Sequence, residues 1–291
     1  MNTPLYDIII RLTRWGGPWV LRVFCWFIAT GYFLFFPKRV AGSVRFYRAL
    51  FPQKNRLAAL GAAFRQYQQF TTVFFDRYRH LDMDQITYTS TGWDYLQKAA
   101  EDKTGGIILM SHLGNWEMAA HFLQKKIEGA KILLFMGRKH REQVEKRQKD
   151  ALQETGITII AVDEKQSSPF VIVEGVNRLK AGEFVSLTGD RVWHPDQRTV
   201  SVDFLGHDIQ LPAAPYILAL MSHKPIYVFF SLRTGPEHYH LYCAPPINVE
   251  AKDRTRRNSA IIRAAQTYAD LLADMARCHP NQWYHFTDFF K

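Results

Sequence analysis

A histidine and a carboxylate stand close together in the segment His112-Leu113-Gly114-Asn115-Trp116-Glu117. Such a pair can activate a hydroxyl nucleophile, because the carboxylate orients the imidazole while the ring accepts a proton. The apolar run 106–111 before it predicts a buried strand, and residues 115–127 predict a helix. The segment therefore lies at a strand–helix junction, where side chains project into the crevice at the end of a parallel sheet.

Helix geometry limits how this pair can meet. Residues five positions apart on one helix are separated by about 140° around its axis. His112 and Glu117 therefore meet only if His112 lies in the loop and Glu117 in the first helical turn, near the positive end of the helix dipole. Asn115 is the predicted N-cap and Gly114 permits the close approach of a ligand, so both are candidate substrate-binding residues. The alternative interpretation is a capped helix preceded by a histidine with a purely structural role.

Further candidate binding residues follow other predicted strands. Arg138 follows the strand 131–136, and Asp190 and Arg191 follow the strand 183–188. Loops at one end of a parallel sheet converge on a shared site. The planar guanidinium group suits phosphate, so both arginines are candidates for binding phosphate or carrier groups, with a surface salt bridge as the alternative for each. Asp190 is expected either to hold Arg191 in place or to bond to the acceptor.

The sequence predicts no metal site and no cofactor. His238-Tyr239-His240 places two imidazoles on one strand face, but a third ligand is not evident. Phosphate-binding loops, dinucleotide fingerprints and the Gly-x-Ser-x-Gly nucleophile motif are all missing from the sequence. The cysteines Cys25, Cys243 and Cys278 are far apart and odd in number, which argues against a disulfide framework and favours a reducing compartment.

Composition and charge narrow the class of partner. A chain of 291 residues with 47% hydrophobic and 22% charged residues is typical of a globular protein. Its net charge of +10 would attract nucleic acid, anionic lipid or an acidic protein. We find no nucleic-acid-binding signature and expect no nucleic acid partner, whereas the basic residues beside an apolar N-terminus favour an anionic membrane surface. An acidic acyl carrier protein would be attracted by the same field, and the alternative is that scattered cations only keep the protein soluble.

The N-terminal region predicts helices that contact a membrane. Residues 19–36 are almost wholly apolar, with aromatic residues at both ends, and would span roughly 27 Å as a helix. A spanning or half-inserted anchor is favoured over a buried core helix or a partner-binding helix, and the excess of basic residues after it predicts a cytoplasmic C-terminal side. Residues 56–78 predict an amphipathic helix. We therefore expect a membrane-proximal helical region over 1–80 and a second domain over 81–291.

The second domain is predicted to be an α/β layer fold, with a mostly parallel central sheet flanked by helices. Strand and helix patterns alternate along it, which is typical of that class. The predicted strands are 106–111, 131–136, 157–162, 183–188, 225–232 and 239–243. The predicted helices are 115–127, 139–155, 168–180, 213–222 and 255–278.

The segment from Ser111 to Glu117 resembles the His-x4-Asp/Glu signature of the bacterial lipid A late acyltransferases. These are the lauroyl and myristoyl transferases of the lysophospholipid acyltransferase superfamily. Further similar elements follow in the same order as in that family. They are Gly189-Asp190-Arg191, Val202-Asp203-Phe204-Leu205-Gly206, Leu211-Pro212-Ala213-Ala214-Pro215 and Gln282-Trp283-Tyr284-His285-Phe286.

Two elements depart from the lipid A enzymes. Arg191 stands where they often have Gln, and Leu211-Pro212-Ala213-Ala214-Pro215 differs from their Thr- and Gly-rich version. Both features are more similar to relatives that acylate other envelope lipids, including those associated with aryl polyene pigments.

The resemblance implies a membrane-bound O-acyltransferase at the cytoplasmic face of a bacterial inner membrane. It implies an acyl carrier protein or coenzyme A thioester as donor, and a hydroxyl of an envelope glycolipid, such as a lipid A precursor, as acceptor. His112 is then the general base and Glu117 its orienting partner, and backbone N–H groups near Gly114 are candidates for stabilising the oxyanion. The alternatives are a non-catalytic lipid-binding scaffold and a lipid or thioester hydrolase that uses the same two residues.

Overall fold

The computed structural model describes residues 16–79, 86–127, 131–138, 158–163, 169–193 and 195–290. The chain divides into two compact units, one formed by residues 1–87 with 275–291 and the other by residues 88–274. The roles that the sequence assigns to the segments 1–80 and 81–291 stay predictions.

The first unit contains three N-terminal helices, α1 (Pro18–Phe35), α2 (Pro37–Leu50) and α3 (Arg56–Arg79). The predicted helices 19–36 and 56–78 correspond to α1 and α3, whereas α2 was not predicted. Proline begins both α1 and α2 because its missing N–H is not needed at the first helical position. Pro37 also prevents α1 from continuing, and Phe36 before it leaves the helical region with φ of −118°.

The break at Phe36 bears on whether α1 and α2 could cross a membrane. Within the part of the chain that the structure describes, no single helix is both long and apolar enough to cross a bilayer. The pair formed by residues 19–35 and 37–50 meets that test of length and composition jointly, with a bend of 92° between its members.

Aromatic residues pack the helices of the first unit against one another and against its C-terminal segment. Phe33 of α1 packs edge-on against Phe64 and Tyr67 of α3, with ring centroids 5.2 and 5.5 Å apart. Trp283, from the C-terminal element seen in the sequence, is buried against Phe46 of α2 at 4.6 Å. The Gln66 side-chain amide donates a hydrogen bond to the Trp283 carbonyl. This aromatic element therefore serves the packing of the helical unit.

The second unit alternates strands and helices. The strands are β1 (Thr87–Thr91), β2 (Gly106–Met110), β3 (Ile132–Arg138), β4 (Thr158–Asp163), β5 (Phe184–Thr188), β6 (Thr199–Phe204), β7 (His207–Pro212), β8 (Ile226–Arg233) and β9 (His238–Cys243). The helices are α4 (Trp93–Glu101), α5 (Trp116–Lys126), α6 (Pro169–Lys180), α7 (Ala214–Ser222) and α8 (Arg257–Cys278). The last residues of α8 and the following 3₁₀ turn at Pro280–Gln282 belong to the first unit.

Seven strands form one sheet in the order β1-β9-β8-β2-β5-β3-β4. The four neighbouring pairs from β8 to β4 are parallel, and β9 runs antiparallel to β8. The predicted α/β class with a mostly parallel sheet is confirmed. Every residue of β2 is buried, as expected for a central parallel strand covered on both faces.

The predicted strands all exist within a residue or two of their expected bounds, as do four of the five predicted helices. The remaining helix, predicted over 139–155, lies outside the described residues. Four further elements of this unit were not predicted, namely β1, α4 and the separate antiparallel pair β6–β7.

Candidate active site

The ends of β2 and β5 bring together residues that are far apart in the sequence. These strands are parallel neighbours, with Met110 opposite Thr188 in the register. The Gly189 amide continues the pairing by donating to the Met110 carbonyl at 2.8 Å. His112 and Asp190 follow at once, so the sheet places them side by side at its carboxyl end, where open α/β sheets bind their ligands.

The Asp190 carboxylate holds His112 through two contacts. One carboxylate oxygen lies 2.8 Å from His112 Nδ1, and the other accepts the His112 backbone N–H at 2.8 Å. The Asp190 side chain is fully buried, whereas that of His112 is 17% exposed. Because an ionised carboxylate only accepts hydrogen bonds, Nδ1 carries the proton and the lone pair of the neutral ring lies on Nε2. This is the orientation that a general base requires.

Asn115 and Glu117 lie where helix α5 begins. Asn115 is the N-cap, and its side-chain oxygen accepts from the backbone N–H groups of Glu117 at 3.2 Å and Met118 at 3.3 Å, which confirms the predicted cap. Its amide nitrogen also donates to the Tyr239 hydroxyl at 3.2 Å. Glu117 is half-buried in the first turn, as expected. Its role as the orienting partner of His112 and the role of Asn115 in binding substrate stay predictions.

Gly114 allows the loop after β2 to lie directly against β8. Its φ is +83°, and a Cβ placed there would come within 2.2 Å of the Ser231 carbonyl oxygen. The same carbonyl accepts the Asn115 amide at 2.8 Å. A side chain at position 114 would therefore displace the loop that carries His112, because both the dihedral angle and the space favour glycine.

Arg191 and Trp193 lie next to the histidine. The Arg191 guanidinium lies over the Trp193 ring at 5.1 Å, and the Trp193 and His112 rings have centroids 6.4 Å apart. The Gln197 side chain accepts the Trp193 backbone N–H at 2.9 Å and so fixes this loop. The structure therefore brings Arg191 to the His112 region, and it adds Trp193, which the sequence interpretation missed although it follows Asp190 by only three residues.

Arg138 occupies the end of β3, and β5 lies between that strand and β2. Its side chain lies outside what the structure describes. Its role in binding phosphate stays a prediction.

A buried tyrosine contacts the end of β2, just before His112. Tyr268 of α8 is fully buried, and its hydroxyl donates to the Met110 carbonyl at 3.4 Å. A Cβ on Gly189 would come within 2.7 Å of the Tyr268 ring, so glycine leaves room for it. Burial, with a further contribution from Asp190, raises the pKa of Tyr268 well above its ordinary value. Tyr268 therefore remains a neutral hydrogen-bond donor, and the sequence offered no signal for this role.

The Cys243 thiol on β9 is not activated as a nucleophile. Burial raises the pKa of the Cys243 thiol to about 12, which disfavours the reactive thiolate. Over the ranges that the structure describes, no three side chains of His, Cys, Asp or Glu are grouped so that they could hold a metal ion.

Comparison with known proteins identifies the family. The model of the bacterial lipid A biosynthesis acyltransferase family matches residues 55–291, so the chain belongs to that family, as the motif resemblance predicted. The chain is also similar to the phosphatidylinositol mannoside acyltransferases of Mycobacterium tuberculosis strains H37Rv and CDC 1551. It is 25% identical to each over 196 residues, which cover 66% of this chain and 57% of the relative. The chain thus spans little more than half the length of these relatives.

Proposed function

We propose that this protein transfers a fatty acyl chain from a thioester to a hydroxyl of an envelope glycolipid, such as a lipid A precursor. The observation that carries the proposal is the contact of 2.8 Å between His112 Nδ1 and the buried Asp190 carboxylate at the carboxyl end of the sheet. Family membership adds independent support.

The chemistry follows from that contact. An alcohol is a poor nucleophile at neutral pH, so His112 Nε2 removes the hydroxyl proton as the oxygen attacks the thioester carbonyl carbon. The tetrahedral intermediate then expels the sulfur, and the proton on His112 passes to the departing thiolate. The products are an ester and a free thiol, and His112 is neutral again. Asp190 keeps the ring in the required tautomer and stabilises its transient positive charge.

The oxyanion of the intermediate needs donors that are already in place. The backbone N–H groups of His112, Leu113 and Asn115 donate to Asp190, Ser111 and Ser231. This leaves the Gly114 amide as our candidate donor in this loop.

Charged groups around the site complete the proposal. Arg191 and Arg138 are our candidates for binding phosphate groups on the donor or acceptor. Glu117 is our candidate for orienting the His112 ring together with Asp190. The donor is an acyl carrier protein or coenzyme A thioester.

The proposed setting is the cytoplasmic face of a bacterial inner membrane. Helix α1 exposes large apolar side chains, including Trp19, Phe27 and Phe35, and exposed Lys38 and Arg39 follow at the start of α2. Aromatic and basic residues in this arrangement suit the interface of an anionic bilayer. We assign residues 1–80 to this contact and 81–291 to catalysis.

The test is mass spectrometry of the total envelope lipids from cells that lack the protein. Rescue with the wild type should restore one lipid whose added mass gives the acyl chain, whereas rescue with His112→Ala should not. Immunoblotting would show that both proteins are present in equal amounts. Full restoration by His112→Ala would overturn the proposal. Release of free fatty acid without an acylated lipid would instead indicate a hydrolase.

A further inference from the structure

The start of helix α8 carries a cluster of cations that we call the basic surface. It consists of exposed residues within twelve positions of the chain, Lys252, Arg254, Arg256, Arg257 and Arg263. The same segment holds one acidic residue, Asp253, whose carboxylate lies 3.4 Å from Arg256. Its five cations and one carboxylate give a formal charge of +4, and Glu250 just before it lowers this only to +3.

These charges do not serve the stability of the helix. Cations are unfavourable near the amino end of a helix, where the dipole is positive, and the first turn of α8 has no acidic residue. Helix α6 shows the opposite arrangement. Its Arg178 lies in the last turn, where a cation is favourable, and contacts Glu174 at 2.7 Å and Glu183 at 3.1 Å. The basic surface therefore needs an explanation outside the fold.

Helix α8 connects the basic surface to the candidate active site. Tyr268, which contacts the Met110 carbonyl beneath the site, lies on the same helix as Arg257. At 1.5 Å per residue, the distance between them along α8 is about 16 Å. The Arg198 guanidinium also donates to the Asn258 side chain at 3.4 Å, which joins the loop after Asp190 to the start of α8.

The shape and composition of the basic surface favour a protein as its partner. The cations follow a segment of bends and turns and then nearly two helical turns, a spread that exceeds a single phosphate group. Ile262, which is 48% exposed, lies among them and offers an apolar contact. Arginine with an exposed apolar side chain is typical of protein interfaces, whereas small ligands prefer concave sites.

We propose that the basic surface docks an acidic acyl carrier protein, which delivers its thioester to His112. This inference rests on the proposed acyl transfer and names the donor for it. Carrier proteins hold the acyl group on a long flexible arm, so docking beside the site lets the thioester reach the histidine while the carrier stays on the surface. Opposite charges would speed the encounter and make it sensitive to salt.

Charge reversal tests the proposal. The triple variant Arg254→Glu, Arg256→Glu, Arg257→Glu should raise KM for an acylated carrier protein about tenfold or more at low salt, since cation–anion contacts become repulsive. The matched control is Lys98→Glu, Lys103→Glu, Lys180→Glu, which changes the net charge equally on exposed residues elsewhere in the same unit. A short-chain acyl pantetheine thioester, which lacks the carrier, serves as a second donor. The ratio of the two KM values should rise only in the arginine variant.

Direct binding separates this inference from the proposed function. Fluorescence anisotropy of a labelled carrier protein should show affinity for the wild type and the lysine variant, and about tenfold weaker affinity for the arginine variant. Equal affinity for all three proteins would overturn docking at this surface, as would a wild type that accepts coenzyme A thioesters but not the carrier. Failure of the wild type to transfer from any thioester would instead overturn the proposed function, and the anisotropy result would still decide the docking.

Discussion

The sheet holds histidines at two places, and their partners differ. At the carboxyl ends of β2 and β5, His112 meets a fully buried carboxylate at 2.8 Å. On β9, the two ring nitrogens of His240 lie 2.9 and 3.3 Å from the hydroxyls of Thr89 and Thr91 on the edge strand β1. A hydroxyl can donate or accept and so leaves the tautomer undecided, whereas a carboxylate fixes it. The partner, more than the histidine itself, therefore distinguishes a candidate base from a histidine that links two strands.

The largest expected effect comes from removing the base. His112→Ala should lower turnover by about 10³ to 10⁴, because a positioned general base contributes up to that factor. Single-turnover assays with a radiolabelled acyl thioester would measure it, with circular dichroism to show that the fold is intact. Turnover within a factor of ten of the wild type would contradict the assignment of His112 as the base, since His112 would then be no more important than His240.

The next effect comes from changing the partner of the base. Asp190→Asn should lower kcat by about 10³, because an amide can stabilise the wrong tautomer of the ring, as in the analogous change in serine proteases. The binding of a non-hydrolysable donor analogue should change little. Measuring kcat and donor affinity in parallel separates a chemical role from a structural one.

Glu117→Gln tells the two carboxylates apart. We expect a loss in kcat of only about tenfold, because His112 Nδ1 contacts the Asp190 carboxylate. If Glu117→Gln lost more activity than Asp190→Asn in the same assay, the His112–Glu117 pair that the sequence predicts would be the catalytic one. An equal loss in donor binding would indicate a structural role for Glu117.

A smaller effect should follow from disturbing the loop that carries the base. Gly114→Ala places a Cβ against the Ser231 carbonyl in addition to its positive φ, and should lower the free energy of unfolding by about 3 kcal/mol. Gly206→Ala is the matched control, since its φ is +78° but no atom lies within 4 Å of the added Cβ. It should cost only about 1 kcal/mol. Urea titration of both variants would measure the difference, and equal midpoints would contradict the role of the close contact with β8.

The smallest effect is expected at the other end of the comparison. His240→Ala removes contacts with exposed threonine hydroxyls, so stability should change by about 0.5 kcal/mol or less and turnover should stay the same. Thermal denaturation and the acyl-transfer assay would measure both. A hundredfold loss of turnover would show that the edge of the sheet takes part in the reaction.

Much of the fold follows from local patterns. The strand-like runs that became β2, β5 and β8 are apolar and short, and their type needs no information from the rest of the chain. The hairpin β6–β7 could also have been predicted, because Thr199–Phe204 alternates between buried and exposed residues and Leu205-Gly206 has positive φ at both turn positions. In the sequence, these residues stand out only as part of the motif Val202-Asp203-Phe204-Leu205-Gly206.

The site was harder to predict than the strands. The sequence singles out His112 and predicts Glu117 as its partner, and the structure adds a contact between His112 and Asp190, which lies 78 residues away. That contact depends on β5, and not β3, lying next to β2. Strand order in a parallel sheet is set by crossover connections and tertiary packing, which local periodicity does not encode. The contact between Tyr268 and Met110 could not be predicted for the same reason, because it depends on tertiary packing.

The strand order also has a consequence for biosynthesis. As the chain is made from its N-terminus, His112 leaves the ribosome well before Asp190, Ser231 and Tyr268, which fix the imidazole, its loop and the end of β2. Contacts between residues so distant along the chain form late, because a long loop must close first. A nascent chain that still lacks α8 already contains both members of the His112–Asp190 pair, but the tyrosine beneath them is not yet present. The set of contacts around His112 is therefore complete only after α8 has been synthesised.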